Sequence, residues 1–439
     1  MIQRLVNSFR RKSRVTRIMV MLAVTAVLLG SVVGCGQTAQ QAANSSQKSS
    51  GGSVQTITYW YWLDDPSHNT TQELIDKFNS EHPNIHVVGK MIPFNNYQQT
   101  LINAVSSGDA PDAARFKDWW VGQFEANNLL EPLDSYIRHW KYQPDMIPAM
   151  WDTGKINENS AVYMMPQAYI DFYLYYRKDL FAKANLQPPT TFAEFEKDAQ
   201  VLTNAQNKQY GFAMRGGSGG QDQWYAFMLA GGAQMVDANG NVVINSDKAV
   251  QVNQWYIDLF KNDHVAPPSA VTDSYAQLLA GFENGTYAMM AHHIGSYAIL
   301  SKQLGDKLGV IPIPQADPSH PATMGTMSGN VIFSSSKVKQ AAWTFESWLA
   351  SPEALNILDR STNAQLPVLN SVAEEPYFQD NPGWKVAIQE ESYAKVWPPL
   401  KGVGDVAGHV WQQTFDRALL GQMSSKQMLD QIATTLKEK

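Results

Sequence analysis

The sequence predicts an α/β fold divided into two or three domains. Segments of strand character alternate with segments of helical character over about 380 residues, the pattern of helices laid on mostly parallel sheets. At roughly 100–200 residues per domain, 439 residues exceed what one simple core accommodates. The composition, 44% hydrophobic and 17% charged with 29 Gly and 22 Pro, excludes a disordered, collagen-like or multi-span membrane chain.

Residues Arg4 to Arg17 form a basic segment, and an apolar run from Ile18 to Val33 follows. That run is short for a membrane span and ends in small residues, as a secretory signal does. The only cysteine, Cys35, comes next in Leu29-Gly30-Ser31-Val32-Val33-Gly34-Cys35, which resembles a bacterial lipobox and marks Cys35 for lipidation. A single cysteine leaves no disulfide, thiolate metal site or redox pair. Gly36 to Ser53 is polar and of low complexity, and reads as a tether reaching roughly 25 Å. The expected address is the outer face of the cell membrane, by a lipid anchor, in a single-membrane bacterium. Of the 34 basic residues six lie in the first 34 positions, which hold no acid; the remaining 28 face 40 acids. A body that acidic excludes nucleic-acid binding and disfavours strongly anionic ligands.

In the body, Thr56–Trp62 alternates β-branched and aromatic residues and reads as a strand. Gln72–Asn79 puts Leu74, Ile75 and Phe78 on one helical face before Pro83, and Ile85–Val88 is a second strand. Tyr97–Val105 is helical and breaks at Gly108-Asp109-Ala110-Pro111. Thr191 to Glu194 forms a capping box, and Ser351-Pro352-Glu353 starts another helix with an N-cap, an N1 proline and an acid at the positive end.

The serial order of short motifs resembles the family 1 extracellular solute-binding proteins of bacterial ABC sugar importers. It runs from Phe78-x3-His82-Pro83-Asn84-Ile85 through Ser107-Gly108-Asp109-Ala110-Pro111-Asp112 and Leu174–Phe181 to Gly309–Pro314 and Ala341-Ala342-Trp343-x-Phe345. The resemblance implies a two-lobed, type II periplasmic-binding-protein-like fold with a hinge and an interlobe ligand cleft. Its divisions would be a leader at 1–34, a lipidated Cys and tether at 35–53, and a first lobe at 54–169 with a return segment at 329–367. The second lobe would span 170–328 with a carboxyl-terminal segment at 368–439. The function it implies is capture of a carbohydrate, expected to be an oligosaccharide, by lobe closure, and delivery to a permease. The protein would be a monomer, without a cofactor.

Ligands of open α/β sheets sit beyond the carboxyl ends of strands. Those positions give Trp62, Asp64, Asp65, Asp118, Trp119, Gln167, Trp224, His293, Tyr297 and Asn330 as candidate ligand-binding residues. Aromatics beside carboxylates and amides suit a pyranose, whose apolar face lies on a ring while its hydroxyls need acceptors and donors. Adjacent histidines on a strand point to opposite faces, so one of His292 and His293 is expected to reach the cleft, and no metal site follows. The alternative functions are a secreted carbohydrate-active enzyme and a polysaccharide-binding surface lipoprotein. No HExxH occurs in support of the first.

Overall fold

The computed structural model describes residues 53–156 and 160–437. The leader, Cys35 and almost all of the tether lie outside the described residues. Among those described, no helix is long and apolar enough to cross a membrane.

Alternation in the first strand, β1 (Gln55–Tyr61), buries Ile57, Tyr59 and Tyr61. Helix α1 (Thr70–Glu81) starts where the Asn69 side chain accepts from the Gln72 N–H, so Asn69 and neither Asp64 nor Asp65 is its cap. β2 (Ile85–Met91) pairs with β1 in parallel. α2 (Phe94–Ser107) stops at Gly108, whose φ of 81° lets the chain turn out of the helix. β3 (Ala113–Lys117) is buried throughout and runs directly into α3 (Asp118–Glu125).

β4 (Met165–Asp171) completes this visit to the first sheet. One residue later the chain enters the second sheet as β5 (Tyr173–Arg177). Phe172, the residue between, is tied to the returning strand at both backbone groups: its N–H donates to Met324 O at 3.0 Å, and its carbonyl accepts from Thr323 Oγ1 at 2.6 Å. The second sheet has the order β6-β7-β5-β8, with β6 (Tyr210–Phe212), β7 (Tyr287–His292) and β8 (Leu308–Ile311). α4 (Phe192–Val201) begins at the Thr191–Glu194 capping box, as expected. α5 (Gly220–Ala230) is buried along its whole length, and α6 (Asp247–Lys261) packs against it.

β9 (Thr323–Ile332) returns to the first sheet and lies antiparallel to β3 on one side and β4 on the other. α7 (Pro352–Asp359) is capped by Ser351. α8 (Pro382–Glu391) leads to β10 (Ala394–Lys395), and α9 (Trp411–Leu419) and α10 (Ser425–Lys437) pack back on α5 and α6. Both sheets are mixed, which corrects the expectation of mostly parallel ones. In the first sheet β9 runs antiparallel to both β3 and β4, and in the second β5 runs antiparallel to both β7 and β8.

Candidate ligand-binding site

Between the two lobes lies a cavity of about 280 Å³. The first lobe contributes Trp62 and Asp64 beyond β1, Phe94 from the start of α2, and Lys117 from the end of β3. The second contributes Arg215 beyond β6, Asp222 on α5, Tyr275, and His292 with His293 at the end of β7. Phe172 lines it from the crossing itself. A larger groove of about 640 Å³ lies between α6 and the start of α10 and is walled by the second lobe alone, so lobe movement cannot close it.

β3 organises the first-lobe wall. Side chains two apart on a strand share a face, which places Arg115 and Lys117 together. Arg115 Nη2 meets Asp64 Oδ2 at 3.2 Å, Nη1 donates to the Trp62 carbonyl at 2.9 Å, and the guanidinium carbon lies 4.2 Å over the Trp62 ring. Gln365 Nε2 donates to the same Asp64 oxygen at 3.0 Å. Burial alone would raise the Asp64 carboxyl, but Arg115 and the other neighbours hold it below the usual range. Burial lowers Lys117, with Asp222 and Asp64 opposing.

On the second lobe, Gly219 precedes α5 with a φ of 85°, and a Cβ there would stand 2.1 Å from Arg215 Nη2. Only glycine leaves room for that guanidinium, which burial brings down to about 10. Asp222 Oδ1 accepts from Trp397 Nε1 at 3.0 Å; burial raises its carboxyl while Lys117 and Arg215 oppose. Tyr275 stacks on His292 at 4.6 Å, and the two histidine rings are 4.1 Å apart. The Gly295 N–H donates to His293 Nδ1 at 3.0 Å, which leaves the neutral ring's proton on Nε2. Burial and the surrounding cations, against Asp64, push His293 down to about 3, and burial and His293 push His292 well below the ordinary range.

Both histidines border the cavity, which corrects the expectation of one. β7 ends at His292 and the backbone then turns into a 3-10 turn, so strand alternation no longer separates the rings. Of the other expected residues, Trp62, Asp64 and His293 come together here. Asp118 lies behind the wall, accepting from Thr326 Oγ1 at 2.6 Å and from the N–H groups of Met327 and Trp119. Trp119 borders a neighbouring cavity of about 430 Å³, which shares Phe94, Asn95 and Gly219 with the first. Five glutamines line it, Gln98, Gln99, Gln123, Gln221 and Gln412, and Gln98 and Gln123 donate across to Gly404 O and Asp405 Oδ1.

The remaining expected residues do not border this cavity. Asp65 accepts from Ser67 N and Oγ in a local turn. Gln167 and Asn330 bond to each other at 3.0 Å, and Asn330 also accepts from Tyr59 OH at 2.6 Å, within the first sheet. Trp224 is buried in the second lobe, its Nε1 donating to Asn253 Oδ1 at 2.8 Å. Tyr297 packs against Gly383 at the start of α8. Sequence reading missed Arg115, Lys117 and Arg215 as site residues, although Lys117 and Arg215 follow the strand-end rule that found Trp62. Among the described residues no group of three metal-ligating side chains converges.

The family model for bacterial extracellular solute-binding proteins matches residues 64–355. The chain belongs to that family. Curated relatives include a mannitol-binding protein of Pseudomonas aeruginosa, 26% identical over 82% of this chain and 87% of the relative. A maltotriose-binding protein of Pyrococcus abyssi is 23% identical over 81% of this chain and 75% of its own. Among solved structures, an ABC transporter solute-binding protein of Thermotoga lettingae, bound with α-D-tagatose, superposes with a TM-score of 0.79 at 22% identity. That match covers 87% of this chain and 99% of the other, and it shows the shared two-lobed fold. The solute-binding family assignment and the cavity agree in kind: the cavity's walls come from both lobes and the hinge.

Proposed function

We propose that this solute-binding protein captures a carbohydrate between its lobes and delivers it to the permease of an ABC importer, held to the outer membrane face by a lipid on Cys35. The observation that carries the reading is the mixed wall of the cavity. Trp62, Phe94, Phe172 and Tyr275 offer ring surface, while Asp64, Asp222, Lys117, Arg215 and two neutral histidines offer acceptors and donors for hydroxyls. A solute can favour the closed form only by binding it better than the open one, which contacts from both lobes achieve. The mannitol- and maltotriose-binding relatives support a polyhydroxylated solute. The glutamine-lined neighbouring cavity gives room for a second sugar unit.

The test is a thermal-unfolding screen of the full chain in mild detergent, followed by tryptophan fluorescence, against mono- and oligosaccharides and polyols. A solute that binds the native state raises the melting temperature by mass action. A rise with at least one carbohydrate supports the reading. Stabilisation by peptides or amino acids, with every carbohydrate inert, overturns it.

A further inference from the structure

Four charged side chains line the cavity: Asp64, Lys117, Arg215 and Asp222. They are not equally available. Asp64 receives Arg115 and the Gln365 amide on one oxygen, so its charge is already offset by Arg115. Asp118, the next carboxylate to Lys117, is turned away into its three internal hydrogen bonds and does not border the cavity. The carboxylate left to offset Lys117 and Arg215 is therefore Asp222, with one oxygen already taken by the Trp397 indole. Among the described residues neither Lys117 Nζ nor the Arg215 guanidinium has a hydrogen-bond or ion-pair partner, and Arg215 Nε is buried without one. Lys117 is 6% exposed and Arg215 8%. A buried cation without a partner is costly, and this cavity holds one positive charge more than its free carboxylate offsets.

The two cations also belong to different lobes. Closing the lobes on nothing, or on a neutral solute, brings like charges into one small dry space. Closing them on an anion reverses the sign of that contribution. We infer that the captured carbohydrate carries one acidic group, a carboxylate or a phosphate, seated between Lys117 of the first lobe and Arg215 of the second. Arg215 supplies a planar fork that matches either oxyanion, and Lys117 supplies a point charge. The acidic body of the protein does not oppose this, because charges beyond about 10 Å are screened while these two line the cavity itself. The inference rests on the carbohydrate reading and names the chemical class of the solute.

The experiment is calorimetric titration of the full chain with glucuronate, galacturonate and mannuronate, each beside its neutral hexose, and with glucuronamide as the uncharged isostere of glucuronate. Glucose 6-phosphate and galactose 6-phosphate form the second arm and separate phosphate from carboxylate recognition. At least one acidic sugar is expected to bind about tenfold or more tightly than its neutral counterpart, the scale of one charge-assisted hydrogen bond. Lys117→Gln, with its own unfolding midpoint measured, is expected to erase most of that preference. The comparison of charged and neutral sugars on the native protein stands whether or not the variant folds. Equal or tighter binding of the neutral sugars overturns the inference and leaves the carbohydrate reading intact. If no sugar in either arm binds, the inference falls, and the carbohydrate reading is decided by the wider screen of oligosaccharides and polyols.

Discussion

Arg115 holds Trp62 at two points, its Nη1 on the Trp62 carbonyl at 2.9 Å and its guanidinium carbon 4.2 Å over the indole ring. The other end of the same fork reaches Asp64. One side chain from β3 thus sets the position of both Trp62 and Asp64 in the cavity wall. Arg115→Met keeps the length of the chain and loses all three contacts. The Asp64 side chain keeps 24% of its area exposed, so the stability loss should be about 1–2 kcal/mol, below that of a fully buried pair. Solute affinity should fall about tenfold or more, because Asp64 is then left unaimed. Denaturant unfolding and calorimetry read the two effects separately.

Trp224→Ala tests a different kind of tryptophan. This ring is buried in the second lobe, bonded to Asn253 and beside Trp411, and does not border the cavity. Its removal should cost about 3–5 kcal/mol of stability. Affinity measured on the folded fraction should stay within about threefold, since no cavity contact is removed.

Gly219→Ala addresses the seat of Arg215. The backbone there is left-handed, which costs a residue with a Cβ about 1–2 kcal/mol. The new methyl would also occupy the place of Arg215 Nη2. The expected result is a lowered melting temperature together with weakened solute binding, where a purely structural glycine would give only the first.

The cavity histidines make stability depend on acid. Burial and the neighbouring cations, against Asp64, hold His293 at about 3 in the folded state, against 6.5 for a free histidine. Below pH 6.5 the unfolded chain takes up a proton that the folded site refuses, so this stability is present near neutrality and is lost as pH falls towards 3. His293→Gln removes the effect. Between pH 7 and pH 5 the wild type should lose about 2 kcal/mol relative to the variant, read by urea unfolding at the two pH values.

Asp171 has the opposite sign. It lies one residue before the crossing at Phe172, fully buried, with neither carboxylate oxygen bonded. Burial first, and then the charge of Glu391, raises its carboxyl well above the ordinary range. The folded state therefore keeps a proton that the unfolded chain releases, and stability declines as pH rises through the folded value. Asp171→Asn imitates the protonated form, so its melting temperature relative to wild type should climb between pH 5 and pH 8. A constant difference across that range would show that the carboxyl is not protonated in the fold.

Features that depend on neighbours in sequence were legible in advance. The Thr191–Glu194 box, the Ser351 cap and the alternation of β1 each involve residues a few positions apart. β9 was not legible as a strand: Met327-Ser328-Gly329-Asn330 has the small and polar residues of a loop, and it is extended because β3 and β4 clamp it from both sides. The site divides the same way. Trp62, Asp64 and His293 follow strands directly and border the cavity. Asn330 and Gln167 looked like free amides until folding brought them to each other, 163 residues apart. Arg115 and Lys117 carry no local mark of a site, since their meaning comes from Trp62 and Asp64 on one side and from the opposite lobe on the other.

The placement of β9 bears on how the protein comes to be folded. Tyr59 in β1 bonds Asn330 in β9 across 271 residues of chain, so the first sheet is closed by one of its last-made strands. Pairings so distant in sequence make for slow folding, because the intervening loop must be closed before the contact can reward it. Until residue 332 is available, β3 presents an unpaired edge lined by buried-type residues. The second sheet, whose strands all precede β9, has no such wait. A newly made chain should therefore pass through a state with the second sheet paired and the first still open, and hydrogen exchange during refolding would show amide protection in β5 and β7 arising before that in β3 and β9.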